Sequence, residues 1–126
     1  MSQENVELLQ GNYEAFGRGD VDTIMGTLAE DVAWSVPEVL PHGVRARDKA
    51  EVAQFFRGLL TSWEDFGVEI HEYVASGERV CAIGRADGRH DGEQKGYGFV
   101  HAWTVRDGVC VRFDEYVDPD PELVTP

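Results

Sequence analysis

The sequence predicts an α+β domain in which a curved antiparallel sheet wraps over helices and leaves a small-molecule pocket in its cone. Three observations carry this expectation. Apolar residues recur at helical spacing through the first half of the chain, they alternate with period two through the second, and hairpin punctuation separates the alternating runs. A chain of 126 residues is long enough to bury about two thirds of its unfolded surface as one domain, so a single domain over 1–126 is expected. Its composition, 42% hydrophobic and 28% charged, is that of a globular rather than a disordered protein.

Val6, Leu9, Tyr13 and Phe16 fall at spacings of three and four, which predicts a first helix over residues 3–16 that Gly17 and Gly19 bring to an end. Asp20 stands where its side chain can cap exposed amides, and Val21, Ile24 and Leu28 continue a short second helix. Residues 31–36 turn β-prone, with Val32, Trp34 and Val36 on one face, before Pro37 and Pro41 bound an irregular loop. Asp48 and Glu51 form a capping pattern for a third helix that carries Val52, Phe55, Phe56, Leu59, Leu60 and Trp63. From Phe66 the period falls to two. Four antiparallel strands are expected over 66–75, 79–87, 96–106 and 109–118, joined at Ser76-Gly77, by a longer Gly-rich loop from Asp87 to Gly96, and at Asp107-Gly108. Asp118-Pro119-Asp120-Pro121-Glu122 removes ladder donors and reads as a loose tail.

Charge narrows the partners. Eleven Lys and Arg against twenty-four Asp and Glu leave a net charge of -13, which repels phosphate backbones and anionic membrane surfaces, so neither nucleic acid nor membrane is expected. The N-terminus has no basic and apolar leader pattern, and a cytoplasmic protein is the expectation. Cys81 and Cys110 read as two reduced thiols within strands. No two histidines have metal-ligand spacing, so no metal and no cofactor is expected.

Two strands hold the residues that can do chemistry. Tyr97, Phe99, His101, Trp103 and Val105 share parity, an aromatic stripe interrupted by one imidazole, and that face should point inward. Val109, Val111, Phe113, Glu115 and Val117 share parity on the last strand, where Glu115 is the one carboxylate in an apolar row. Across the Asp107-Gly108 turn, positions whose numbers sum to about 216 face one another, and His101 and Glu115 satisfy that condition. Burying a lone carboxylate is costly, and pairing with imidazole relieves both groups. Glu115 would then orient His101 as a general acid or base; the other reading is a satisfied polar pair that at most hydrogen-bonds a ligand. Trp34, Phe56, Trp63, Phe99 and Trp103 are candidates to line an apolar or aromatic ligand site, or simply to fill the core. His42, beside Gly43, reads as a turn-stabilising or solvated residue, His71 as facing the outside of the sheet, and His90 as part of a polar loop. An outer face bearing Val100, Ala102, Thr104, Cys110 and Tyr116 is apolar enough to suggest a homodimer through the sheet.

The element order, with Tyr13-Glu14-Ala15-Phe16-Gly17-Arg18-Gly19-Asp20, Asp31-Val32-Ala33-Trp34, Pro41-His42-Gly43 and His101-Ala102-Trp103-Thr104-Val105-Arg106-Asp107-Gly108, resembles the SnoaL-like branch of the NTF2-like superfamily over residues 5–118. The resemblance implies a cone-shaped fold with three N-terminal helices packed on the curved sheet. It also implies a pocket protein that either works as an acid/base enzyme of cyclase, isomerase or hydrolase type on a small apolar carbonyl or polyketide-like compound, or binds such a ligand without turnover. In SnoaL-like cyclases the acid/base groups are similar to Glu115 on the last strand and His101 on the one before. The oxyanion tyrosine of ketosteroid isomerase falls at Asn12 or Tyr13, so Tyr13 approximates it within one residue of register, but that family's general base falls at Val36, before Pro37, so its isomerisation mechanism is not expected here. Arg85, Arg106 and Arg112 are not flanked by the two carboxylates that epoxide-hydrolase chemistry needs. The glycine usual before the third helix is replaced by Arg47-Asp48. A weaker reading is an interaction domain with a filled core.

Overall fold

A computed structural model describes residues 2–118. The tail expected from Asp118 onward therefore lies, beyond its first residue, outside the described residues. Helix α1 (Ser2–Gly17) ends as its glycines require: Gly19 takes φ 75°, and the Asp20 amide reaches back 2.8 Å to the Ala15 carbonyl. Asp20 then caps α2 (Val21–Met25), accepting from the Thr23 amide at 3.1 Å. Helix α3 (Lys49–Ser62) starts on the expected residues, with Asp48 accepting from the Glu51 amide at 2.9 Å and Glu51 accepting from the Arg47 amide at 2.7 Å. Its buried stripe is Val52, Phe56 and Leu59. Leu60 is 49% exposed, and Trp63 belongs to the next strand rather than to the helix.

Six strands form one open, curved sheet: β1 (Leu28–Val36), β2 (Val44–Ala46), β3 (Trp63–Ser76), β4 (Arg79–His90), β5 (Glu93–Arg106) and β6 (Val109–Val117), in the order β2-β1-β6-β5-β4-β3. The last four make the expected antiparallel meander. Two features correct the expectation. β2 lies between the Pro37–Pro41 loop and α3, where no strand was expected, and pairs antiparallel with β1, and β1 pairs with β6 in parallel, Trp34 beside Phe113. No hairpin links β1 to β6, so turn chemistry does not set their direction.

The Gly-rich loop expected over 87–96 is also strand. The chain reverses at Asp91-Gly92, both at positive φ, and His90 pairs with Glu93 at the end of the ladder. Gly88 is in the strand because another backbone crosses there: a Cβ would meet Phe66 Cα at 3.0 Å. A bulge between Thr104 and Val105 shifts the β5–β6 register, which sends Cys110 inward to complete burial and leaves Val109 38% exposed. Both are the reverse of the expected facing. The Cys110 amide donates to the Thr27 carbonyl at 2.8 Å, tying β6 to the start of β1. Neither cysteine is disulfide-bonded. No helix among the described residues is long and apolar enough to cross a membrane.

Candidate functional site

Helices α1 and α3 cover the concave face of the sheet and close over a cavity that β5 and β6 floor. It offers about 70 Å³ to the centres of water-sized molecules, room for several waters or a small ligand. Its walls are almost wholly aromatic and aliphatic. Phe16, Phe56, Phe99 and Trp103 contribute rings, and Trp34 stacks on Phe113 at 4.1 Å.

The expected opposition of His101 and Glu115 is present. The two are Cα partners across β5 and β6, both are buried, and His101 Nε2 lies 3.2 Å from Glu115 Oε2. The other ring nitrogen is occupied too, because Tyr13 Oη sits 2.6 Å from His101 Nδ1. Tyr13 in turn accepts from the Trp103 indole N–H at 3.0 Å. The hydrogens can be assigned by valence. A carboxylate only accepts and an indole N–H only donates, so a neutral His101 carries its hydrogen on Nε2, Tyr13 donates to Nδ1, and the chain runs Trp103, Tyr13, His101, Glu115. Phe99 stacks on the imidazole at 3.8 Å and 7°, and Phe113 meets it edge-on at 4.9 Å. These rings fix the plane of His101. Burial holds the Tyr13 hydroxyl well above the usual phenol range, with its Trp103 hydrogen bond pulling the other way, so Tyr13 stays a neutral donor.

With both nitrogens engaged, His101 has no free valence toward the cavity. All four members of the relay line the void, and its accepting end is the Glu115 carboxylate.

His42 departs from the expected turn or solvated role. It is 9% exposed and lines the cavity at the end away from Glu115, ringed by Phe55, Trp63, Phe66 and Tyr97. Gly43 permits this placement, because any Cβ there would collide with the Pro37 and Glu38 backbone. The Trp63 indole N–H donates to His42 Nδ1 at 3.1 Å, and His42 Nε2 lies 3.1 Å from the Tyr97 hydroxyl. Desolvation pushes His42 down to about 4, against a smaller upward pull from Glu115. Tyr97 is raised by burial and by Glu115.

Trp34, Phe56, Phe99 and Trp103 line the cavity as expected. Trp63 stands behind His42 as its hydrogen-bond donor and is not part of the wall. Asn12 is buried and lines the void while donating to Thr27 Oγ1 at 3.0 Å. The Trp34 indole N–H has no hydrogen-bond partner among the described residues. His71 is exposed beside Glu69. Instead of lying in a polar loop, His90 sits at the end of β4 within hydrogen-bond reach of the Ser62 carbonyl. No group of three or more His, Cys, Asp or Glu among the described residues could hold a metal ion.

The SnoaL-like domain family matches residues 9–113. Among solved structures, the chain is similar to an NTF2-like protein of unknown function from Burkholderia pseudomallei, at 29% identity over 90% of each chain with a TM-score of 0.83. It is similar to TerC co-crystallized with polyporic acid, at 26% identity over 90% of this chain and 91% of that one, TM-score 0.81. A candidate polyketide cyclase from Xanthomonas campestris is similar at 28% identity over 93% and 92% of the two chains, TM-score 0.81. No curated protein matches the chain.

Proposed function

This chain belongs to the SnoaL-like domain family, and from that premise we propose that its cavity binds a small apolar carbonyl or polyketide-like compound and moves protons to and from it. The observation that carries this reading is the relay from Tyr13 through His101 to Glu115, set in an aromatic hollow. Glu115 is the base. It takes a proton from the carbon beside the ligand carbonyl, the C–H electron pair passes into the enolate, and the His101 N–H beside Glu115 holds the carboxyl in place. Tyr13, held neutral, keeps its one hydrogen on His101 Nδ1 and, with the Trp103 indole N–H, fixes the ring whose Nε2–H holds Glu115. The Glu115 carboxyl then returns the proton to the enolate carbon, which restores the base. Tyr13 and His101 are thus positioning residues for Glu115. TerC's co-crystallization with polyporic acid supports a pocket for small organic ligands.

Deuterium exchange tests this without knowledge of the natural product. The wild-type protein in D₂O should exchange the α-hydrogens of a small aryl ketone faster than buffer, followed by proton NMR. Glu115→Gln should abolish the excess rate, and Tyr13→Phe and His101→Ala should cut it at least about a hundredfold. Exchange unaffected by Glu115→Gln would remove the proposal.

The second reading is a pocket that binds without turnover. It is favoured by Val36, 2% exposed and apolar where a steroid-isomerase base would stand. Binding of the ketone with no exchange in any variant is its signature.

The association proposed is a homodimer through the outer sheet face. Tyr116, 60% exposed, sits beside partly buried Val100 there, and Val74, 51% exposed, lies farther across on β3, although Cys110 and Ala102 are buried and drop out of the expected surface. Sedimentation of Tyr116→Glu as a monomer against a wild-type dimer is the expected result; a monomeric wild type at micromolar concentration removes it.

A further inference from the structure

The hydrogen-bond directions at the His42 end of the cavity leave one proton unspent. Trp63 Nε1 can only donate, so His42 Nδ1, 3.1 Å away, must be the acceptor. A neutral imidazole then carries its hydrogen on Nε2, and that hydrogen points at the Tyr97 hydroxyl 3.1 Å away. Tyr97 Oη is therefore the acceptor in its one hydrogen bond among the described residues, and its own O–H has no partner there. The opposite tautomer would set two N–H groups against each other at Trp63. Tyr97 is 4% exposed, and its side chain lines the cavity. A buried hydroxyl hydrogen without an acceptor is costly, and the void is where an acceptor can stand.

The other end has the opposite sense. The relay from Trp103 delivers its hydrogens toward Glu115, which lines the same void and accepts. Tyr97, Phe99 and His101 follow one another along the inner face of β5, with ring centroids 6.4 Å and 3.8 Å apart. The two polar stations are thus separated along β5 by the Phe99 ring, which meets Tyr97 edge-on and stacks on His101.

We propose that Tyr97, oriented by the Trp63–His42 pair, is a second ligand-binding donor, and that the cavity selects a small aromatic molecule with a carbonyl at one end for Tyr97 and, at the other, a group that can yield a proton to Glu115, either a hydroxyl or the carbon beside a second carbonyl. This rests on the reading that the cavity binds a small ligand, and it adds the polarity and direction of that ligand. His42 and Trp63 are positioning residues; Tyr97 is the group that touches the carbonyl.

The test uses 4-hydroxyacetophenone carrying ¹³C at its carbonyl, with 4-ethylphenol, which lacks the acceptor, as the control. In wild-type protein the bound ketone's carbonyl band should lie below its position in apolar solvent. Tyr97→Phe should return the band to that position and weaken the ketone about tenfold, as one lost hydrogen bond does, while 4-ethylphenol binding stays within about twofold. Trp63→Phe, which releases the tautomer, should broaden or split the band. If 4-ethylphenol binds but the wild-type ketone band sits at its apolar-solvent position, the Tyr97 assignment is overturned and the pocket reading stands. If neither probe binds the wild type, the pocket reading fails and takes this inference with it. The wild-type band alone decides the assignment should Tyr97→Phe not fold.

Discussion

His42 is buried as a neutral ring because one nitrogen meets a donor and the other an acceptor, within a cage of aromatic side chains. Burial lowers its proton affinity from the ordinary 6.5 to about 4. Between those values the unfolded chain binds a proton that the folded chain refuses, so the contribution to stability is full above about 6.5 and is lost as pH falls through 4. The loss is on the order of 3 kcal/mol. Urea midpoints from pH 7.5 to pH 4 should fall in the wild type and fall less in His42→Phe; equal slopes would contradict the assignment. At Tyr13, removal of the hydroxyl leaves the Trp103 N–H and His101 Nδ1 unpartnered in the interior. Tyr13→Phe should cost about 1–3 kcal/mol in chemical unfolding. A change under about 0.5 kcal/mol would mean the relay is not formed. The shared parity of His101 and of Glu115 with apolar neighbours on adjacent strands was legible in the sequence, but their direct opposition was not fixed by the Asp107-Gly108 turn, which pairs Arg106 with Val109. The bulge between Thr104 and Val105 shifts the register by one and brings Glu115 across from His101. His42 was not legible. Its burial depends on Trp63 and Tyr97, 21 and 55 residues away, and no local pattern encodes such distant pairing.

At the scale of elements, helices were read well because caps are local. Asp48 accepts the Glu51 amide as the spacing predicts, and Asp48→Ala should cost about 1 kcal/mol. Strands were read well in type and less well in extent. The bulge at Thr104/Val105 leaves no trace in residue type, so Val109 and Cys110 exchange faces from there on. Three residues are too few to show a period, which hid β2. The glycines over 87–96 signal loop by composition, but Gly88 is needed where Phe66 crosses β4. The same logic holds at Gly84, where an added Cβ would overlap the Glu69 carbonyl next to the bulge between Ile70 and Glu72. Gly84→Ala should therefore lower the midpoint of thermal unfolding, by a cost of about 1–3 kcal/mol. An unchanged midpoint would show that β3 can move aside.

For the whole molecule, the period switch from helical to alternating was enough to give helices on one face of a sheet. The parallel β1–β6 pair was out of reach, since α3 and four strands intervene between its members. That pairing matters for the cavity, because it sets Trp34 against Phe113 in the wall beside Glu115. Ala86, the smallest side chain in the wall, should act as a volume gauge: Ala86→Leu should abolish ketone binding while leaving the fold's circular dichroism intact. Two oppositely directed hydrogen-bond chains face one hollow. Long-range proton–nitrogen NMR of the histidine rings at neutral pH reads this directly. His101 and His42 should each show a single neutral tautomer with hydrogen on Nε2 and a bare Nδ1. Ring signals averaged between tautomers, or hydrogen on Nδ1 of either residue, would contradict it.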